Sequence, residues 1–225
     1  MLGPVRHYDT RMLDSTSPYR RRVRGVTLAE VMVVVGIVSI LAMLAAPNFS
    51  AMIERNRINS AANEMLMALQ LARSEAIRLN STTTLCRSAN GTSCASPAGS
   101  PAGWESGWIV FHDRNGDGAV TPAQPGPPAV AADAVLRSWG ALGPRLTLRG
   151  SPGVAQRLSY NARGQAEFAT PPNPSPPHLI VCHNGLLPQA RALIVTPSRP
   201  RLATDSNADR IPENDAGVNF ATCTP

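Results

Sequence analysis

From Val26 to Ala46 the chain runs for 21 residues with a single charge, Glu30. That is close to the roughly 20 residues an apolar helix needs to cross the hydrocarbon core of a bilayer. No other stretch constrains the fold so strongly. Just before it stand Arg20, Arg21, Arg22 and Arg24, a cluster that keeps the preceding residues cytoplasmic and sends the C-terminus outward. A secretory signal peptide fits less well: the run exceeds a typical h-region, and no A-x-A site with a polar continuation follows it. A plain signal anchor fits the length and the flank, with Gly36 and Ser39 as tolerated small residues, but it leaves Glu30 unexplained. A carboxylate near the membrane core costs roughly 2.5–3.5 kcal/mol and is normally paired or functional.

Beyond Pro47 the helical pattern resumes without a break. Ile58, Ala62, Met65, Leu69, Ala72, Ala76 and Leu79 recur at spacings of three and four and form one apolar stripe. Arg55, Arg57, Glu64, Arg73, Glu75 and Arg78 fall largely on other faces. The spacing predicts one helix from Val26 to about Asn80, on the order of 80 Å at 1.5 Å per residue. From Ser81 the pattern changes to short β segments: Thr83–Cys86, Trp108–His112, Val135–Trp139, Leu146–Leu148, Arg157–Tyr160, Ala166–Phe168, His178–Cys182 and Ala192–Thr196. Proline- and glycine-rich connections at 96–103, 121–129 and 170–177 separate them. The expected class is α+β: a long N-terminal helix, apolar in its first half, packed on small antiparallel sheets. The expected parts are 1–25 as a cytoplasmic leader, 26–46 as a membrane helix, 47–80 as its amphipathic continuation, and 81–225 as a β-rich head outside the cytoplasm.

Charge and cysteines narrow the chemistry. All 21 basic residues are Arg, and the formal charge is +6. Residues 1–25 hold six Arg and two Asp, so the rest carries 15 Arg against 13 acids, a balance of +2. No bulk basic field remains, and any nucleic-acid reading must rest on a local cluster. Cys86, Cys94, Cys182 and Cys223 lie beyond the apolar run, an even number that suggests disulfides in an oxidising compartment. Four cysteines allow three pairings; the short Cys86–Cys94 spacing favours a local loop closure. Cys182 with Cys223 would then fasten the C-terminal tail to a strand. Metal-site spacing is missing, although Cys182 and His183 are adjacent.

The segment "RGVTLAEVMVVVGIVSILAMLAAP" resembles the N-terminus of type IV prepilins: a basic leader ending in Gly25, then Thr-Leu-x-Glu leading into an apolar helix. The resemblance implies cleavage by a prepilin peptidase between Gly25 and Val26 and methylation of the new amino terminus. Counted from Val26, Glu30 is the fifth residue and Pro47 the twenty-second, the family's places for a conserved-type glutamate and a helix-bending proline. Val26 stands where Phe is usual, and the leader is long. By the same resemblance Glu30 pairs with the α-ammonium of a neighbouring subunit, which compensates its charge and sets axial register. The head carries further marks, "LCRSANGTSC", "WESGWIVFHDRNGDG", "LSYNARGQA", "LIVCHN" and "RALIVTPSRPR", that are similar to the GspH/FimT group of minor pilins and pseudopilins. Together they imply an inner-membrane, single-pass protein assembled into a pilus with other major and minor pilins.

Asp113, Asn115, Asp117 and Gly118 open like a calcium loop, but Gln124 stands where the closing Glu belongs, so a tight hairpin turn accounts for them better. Asp205, Asn207 and Asp209 repeat the spacing more weakly. Of the four His, His7 lies in the leader, and His112, His178 and His183 join no catalytic motif. No enzyme, cofactor or metal is expected. Arg199 and Arg201 flank Pro200 in "TPSRPR", a partial match to the Gly-Arg-x-Arg element of DNA-binding FimT-type members, with Ser198 in place of the Gly. Two guanidiniums of this kind can hold successive phosphates of double-stranded DNA without reading sequence, Arg191 adding weaker support, while Asp205, Asp209, Glu213 and Asp215 oppose it. The expected function is a minor type IV pilin in pilus biogenesis and DNA binding for natural transformation. The alternatives are a FimU-like subunit that primes assembly and a GspH-like pseudopilin of type II secretion.

Overall fold

The computed structural model describes residues 25–95, 103–125, 129, 131–168 and 176–224. The leader's arginines and much of the three proline-rich connections lie outside them. One helix, α1 (Leu28–Leu79), precedes all the strands. The chain divides into two compact units, 1–47 and 48–225. In the first, every large apolar side chain from Val26 to Met43 is exposed, on all faces of the helix. A helix apolar all round is not a surface element of a soluble domain. No helix among the described residues is by itself long and apolar enough to cross a membrane; the side chains of residues 44–48, Pro47 included, lie outside them.

In the second unit α1 supplies the centre of the core. Ile58, Ala62, Met65, Leu69, Ala72 and Ala76 are all buried, as their spacing predicts, and Ala61 and Ala68 widen the stripe. Ile58, Met65 and Leu69 each contribute about 1.5–3 kcal/mol by burial. Leu79 at the helix end is only half-buried.

Among the described residues nine strands follow, in two antiparallel sheets. Strands β1 (Thr83–Arg87), β2 (Trp108–His112), β3 (Ala134–Trp139), β5 (Arg157–Tyr160) and β6 (Ala166–Glu167) form a sheet in the order β3-β2-β1-β5-β6. Strands β4 (Leu146–Gly150), β7 (His178–His183), β8 (Leu186–Val195) and β9 (Pro200–Leu202) form the second, in the order β4-β7-β8-β9. The inner faces of both sheets meet the α1 stripe in one cluster, through Leu85, Trp108, Val110 and Leu158 from one and Leu148, Val181, Leu193 and Val195 from the other. This is the α+β arrangement expected from the sequence.

Each sheet also has an outer cluster closed by a disulfide. Cys86 bonds Cys94, beside Ile109 and Phe111 on the first sheet. Cys182 bonds Cys223, and with Phe220 and Ala203 this lays the C-terminal tail over Ile180, Ala192 and Ile194 of the second.

Two strand expectations change. β8 begins at Leu186, not Ala192, because Asn184 and Gly185 (φ 52° and 70°) make a two-residue hairpin turn with β7. Pro188 hides this in the sequence; it is absorbed where the β7–β8 register shifts and Gln189 takes φ 76°. Residues 200–202, outside the strands expected from sequence, form β9, with Pro200 at the first position of an edge strand, where no ladder donor is required of it.

Candidate functional site

The N-terminal end of α1 is built by its own sequence. Thr27 precedes the first helical residue, and its Oγ1 accepts the amide N–H of Glu30 at 3.2 Å. Thr27 is thus the helix N-cap, and an acid in the first turn complements the positive helix end. The cap occupies the amide of Glu30 and leaves its carboxylate exposed. Val26 is 72% exposed, and among the described residues beyond its chain neighbours nothing lies within 4 Å of where a Cβ on Gly25 would stand.

The three arginines singled out in the sequence occupy different places. Arg199 is exposed on the turn between β8 and β9, where Thr196 Oγ1 donates to its carbonyl at 2.7 Å and accepts from its amide at 3.2 Å. It lines a cleft of about 430 Å³ whose other wall is α1, with Gln70, Arg73, Ser74 and Ile77. Its neighbouring cation is therefore Arg73, which sequence spacing gave no means of finding. Arg201 pairs with Ile194 across the ladder, and its guanidinium forms an ion pair with Asp215 of the tail. One of the four opposing acids named from sequence thus engages it directly. Both side chains are about two-fifths exposed (40% and 42%), and such pairs are worth only about 0–1 kcal/mol. Arg191, exposed on β8, donates its Nε–H to Asn59 Oδ1 at 2.9 Å.

The segment 113–118 is not the tight hairpin expected; β3 starts only at Ala134. The buried Asp113 organises it instead. Its Oδ1 accepts the Gly116 amide at 2.7 Å, and its Oδ2 accepts the Gly118 amide at 2.9 Å and the Thr84 hydroxyl at 2.8 Å. Asp113, Asp117 and Asp133 bring one carboxylate oxygen each within 4.8 Å of one another. Asp133 has no spacing signal, since the chain folds back to deliver it. Burial raises its pKa, but the amides of Arg114 and Thr121 and the Thr121 hydroxyl outweigh burial and hold it low. Local donors therefore already serve these carboxylates.

The histidines assemble no catalytic group among the described residues. His112 and His178 are both pushed below the usual imidazole pKa, chiefly by burial. His183 Nδ1 stands 3.6 Å from Glu54 Oε2 on α1.

Comparison with known proteins gives matches at both ends of this arrangement. Residues 20–46 match the Prokaryotic N-terminal methylation motif, and residues 61–199 match the family described as Type II transport protein GspH. No curated protein matches the sequence. Among solved structures, the type IV minor pilin FimU of Pseudomonas aeruginosa is similar at 22% identity and TM-score 0.49, over 76% of this chain and 97% of that one. The minor pseudopilin EpsH of the Vibrio cholerae Type 2 Secretion System is similar at 14% identity and TM-score 0.38, over 65% of this chain and 95% of that one.

Proposed function

The chain belongs to the GspH family and is a minor pilin or pseudopilin, and from that premise we propose that it is a minor type IV pilin. In this reading a prepilin peptidase cleaves between Gly25 and Val26, the apolar half of α1 holds the subunit in the inner membrane, and the same helix enters a pilus beside other pilins. The observation that carries it is the methylation motif at 20–46 running along one helix into the GspH domain at 61–199. The carboxylate of Glu30 has no partner among the described residues, consistent with a role in pairing with a neighbour's amino terminus. Because Thr27 caps the helix independently of that carboxylate, Glu30→Ala is expected to keep the helix and lose incorporation into sheared pili, with the membrane-bound amount unchanged. Equal incorporation of wild type and variant would sink the assembly role, and absence of the wild-type chain from pili would favour a secretion pseudopilin.

DNA contact is the finer part of the proposal. It is supported by the exposure of Arg199, by Arg73 across the same cleft, and by the weakness of the Arg201–Asp215 pair, which a phosphate can displace. The full chain in detergent, titrated with duplex DNA at two salt concentrations, should bind at low salt and lose affinity steeply as salt rises. An Arg199→Gln/Arg201→Gln double variant that binds equally well would reject this contact and leave an assembly-priming subunit as the reading.

A further inference from the structure

A second cleft, of about 240 Å³, lies where α1, β8 and the tail meet, and three arginines line it: Arg55, Arg191 and Arg210. Each comes from a different element, and each is exposed. Arg55 donates its Nε–H to Gln189 Oε1 at 3.1 Å, and Arg191 donates its Nε–H to Asn59 Oδ1 at 2.9 Å. These bonds fix both guanidiniums by their inner nitrogen and leave the forked terminal nitrogens for a ligand.

The charges here are uncompensated. Arg78, Arg149 and Arg201 each form an ion pair with an acid, whereas Arg55, Arg191 and Arg210 form none among the described residues. The one carboxylate lining the cleft, Asp205, already accepts the Arg210 amide at 2.9 Å. Three cations against one anion leave the cleft at +2.

The backbone is shaped to hold this arrangement. Of the six described non-glycine residues with positive φ, Gln189 (76°) and Arg210 (70°) line the cleft, and Ala208 (62°) lies two residues from Arg210. The Gln189 amide donates to the Arg210 carbonyl at 2.7 Å, which ties the two left-handed residues together. Left-handed backbone in non-glycine residues is disfavoured and persists where its surroundings impose it, commonly at binding sites. Ala190, Ala203 and Pro212 form buried walls. The volume is below the roughly 300–1,000 Å³ of clefts that take drug-sized ligands, which suits one small charged group.

We propose that this cleft is an oxyanion site that takes a single phosphate group, gripped by the forks of Arg55 and Arg191 and closed by Arg210 from the tail. Guanidinium forks match phosphate geometry, and the net +2 matches the charge of about −1.5 to −2 that a phosphomonoester carries at neutral pH. The phosphate can be a free ion or monoester, or it can belong to a nucleic-acid backbone, and one experiment separates these sources. The full chain in non-ionic detergent micelles at low ionic strength is titrated calorimetrically with inorganic phosphate. A saturable site is expected, weakened about tenfold or more by Arg191→Gln/Arg210→Gln. Arg55→Gln, which removes the cation supplied by α1, should weaken it in the same direction, while Arg199→Gln leaves it unchanged. Displacement of phosphate by a short DNA duplex would identify a backbone phosphate as the occupant, and failure to displace it a free one. Wild type without saturable phosphate binding, or equal affinity in the double variant and in Arg55→Gln, would overturn the site. Because Arg199→Gln tests the turn between β8 and β9 separately, either DNA contact there or this cleft can fail alone.

Discussion

His178 opens β7 with its ring centroid 4.5 Å from that of Phe220 in the tail. Burial pushes its pKa below the ordinary 6.5, against a smaller raising influence from the Pro176 carbonyl, and His112 shifts the same way. The unfolded chain therefore takes up these protons first as pH falls. The stability that neutral His178 contributes is complete above about pH 6.5 and is lost as pH drops toward the folded-state value. The urea midpoint of the full chain should fall between about pH 7 and pH 5, and less steeply in His178→Gln; parallel curves would contradict this. Gly107 is constrained differently: at φ 109° its Cβ would stand 2.7 Å from the Trp139 carbonyl and 2.8 Å from that of Ser88. Individual residues were unevenly legible in sequence. The bends around Asn115 and Gly116 follow from Asn, Asp and Gly chemistry, which is local. Asp133 beside Asp113, Arg73 beside Arg199 and Asp215 on Arg201 depend on long-range folding, and no spacing announces them.

Among the elements, α1 was the most legible because its stripe has a period that only a helix produces. Truncating the middle of that stripe tests its contribution: Leu69→Ala, at a fully buried position, should destabilise the head by about 2–5 kcal/mol in urea unfolding. Met67→Ala, on the same helix but 53% exposed, should stay within about 0.5 kcal/mol. Similar losses at both positions would mean that the helix packs by another face. The strands read well where β-branched and aromatic residues cluster, as in β2 and β7. They read poorly where proline intervenes. Pro188 and Pro200 each argue against a strand locally, yet a register shift accommodates the first and an edge position the second.

The head as a whole is one helix clasped between two sheets, with a disulfide on the far side of each. Cys182–Cys223 closes a span of 41 residues and Cys86–Cys94 one of 8. The longer closure restricts the unfolded chain more, and it also holds the tail over the second sheet. Replacing Cys182 and Cys223 by Ser should cost about 2–5 kcal/mol and raise hydrogen exchange in β7 and β8, with a smaller effect for Cys86 and Cys94. The reverse order would show that the tail is held by something other than the bond. Spacing made these pairings readable in advance, just as the Thr-Leu-x-Glu segment made the methylation motif readable. The two basic clefts were not readable, since each joins α1 to strands more than 100 positions away.

The borders of the two sheets have a further consequence. β6 is two residues long, and β9 is three and starts with Pro200. On β4 the Leu148 amide is taken by Glu105 Oε2 at 3.1 Å, and on β3 Arg137 lies 4.9 Å over the Trp139 ring beside a register shift. A chain finished in this way offers other copies little backbone to zip onto. Crowded side by side at high local concentration, such heads resist fusing strand to strand into amyloid-like ribbons, which leaves any contact between copies to side chains.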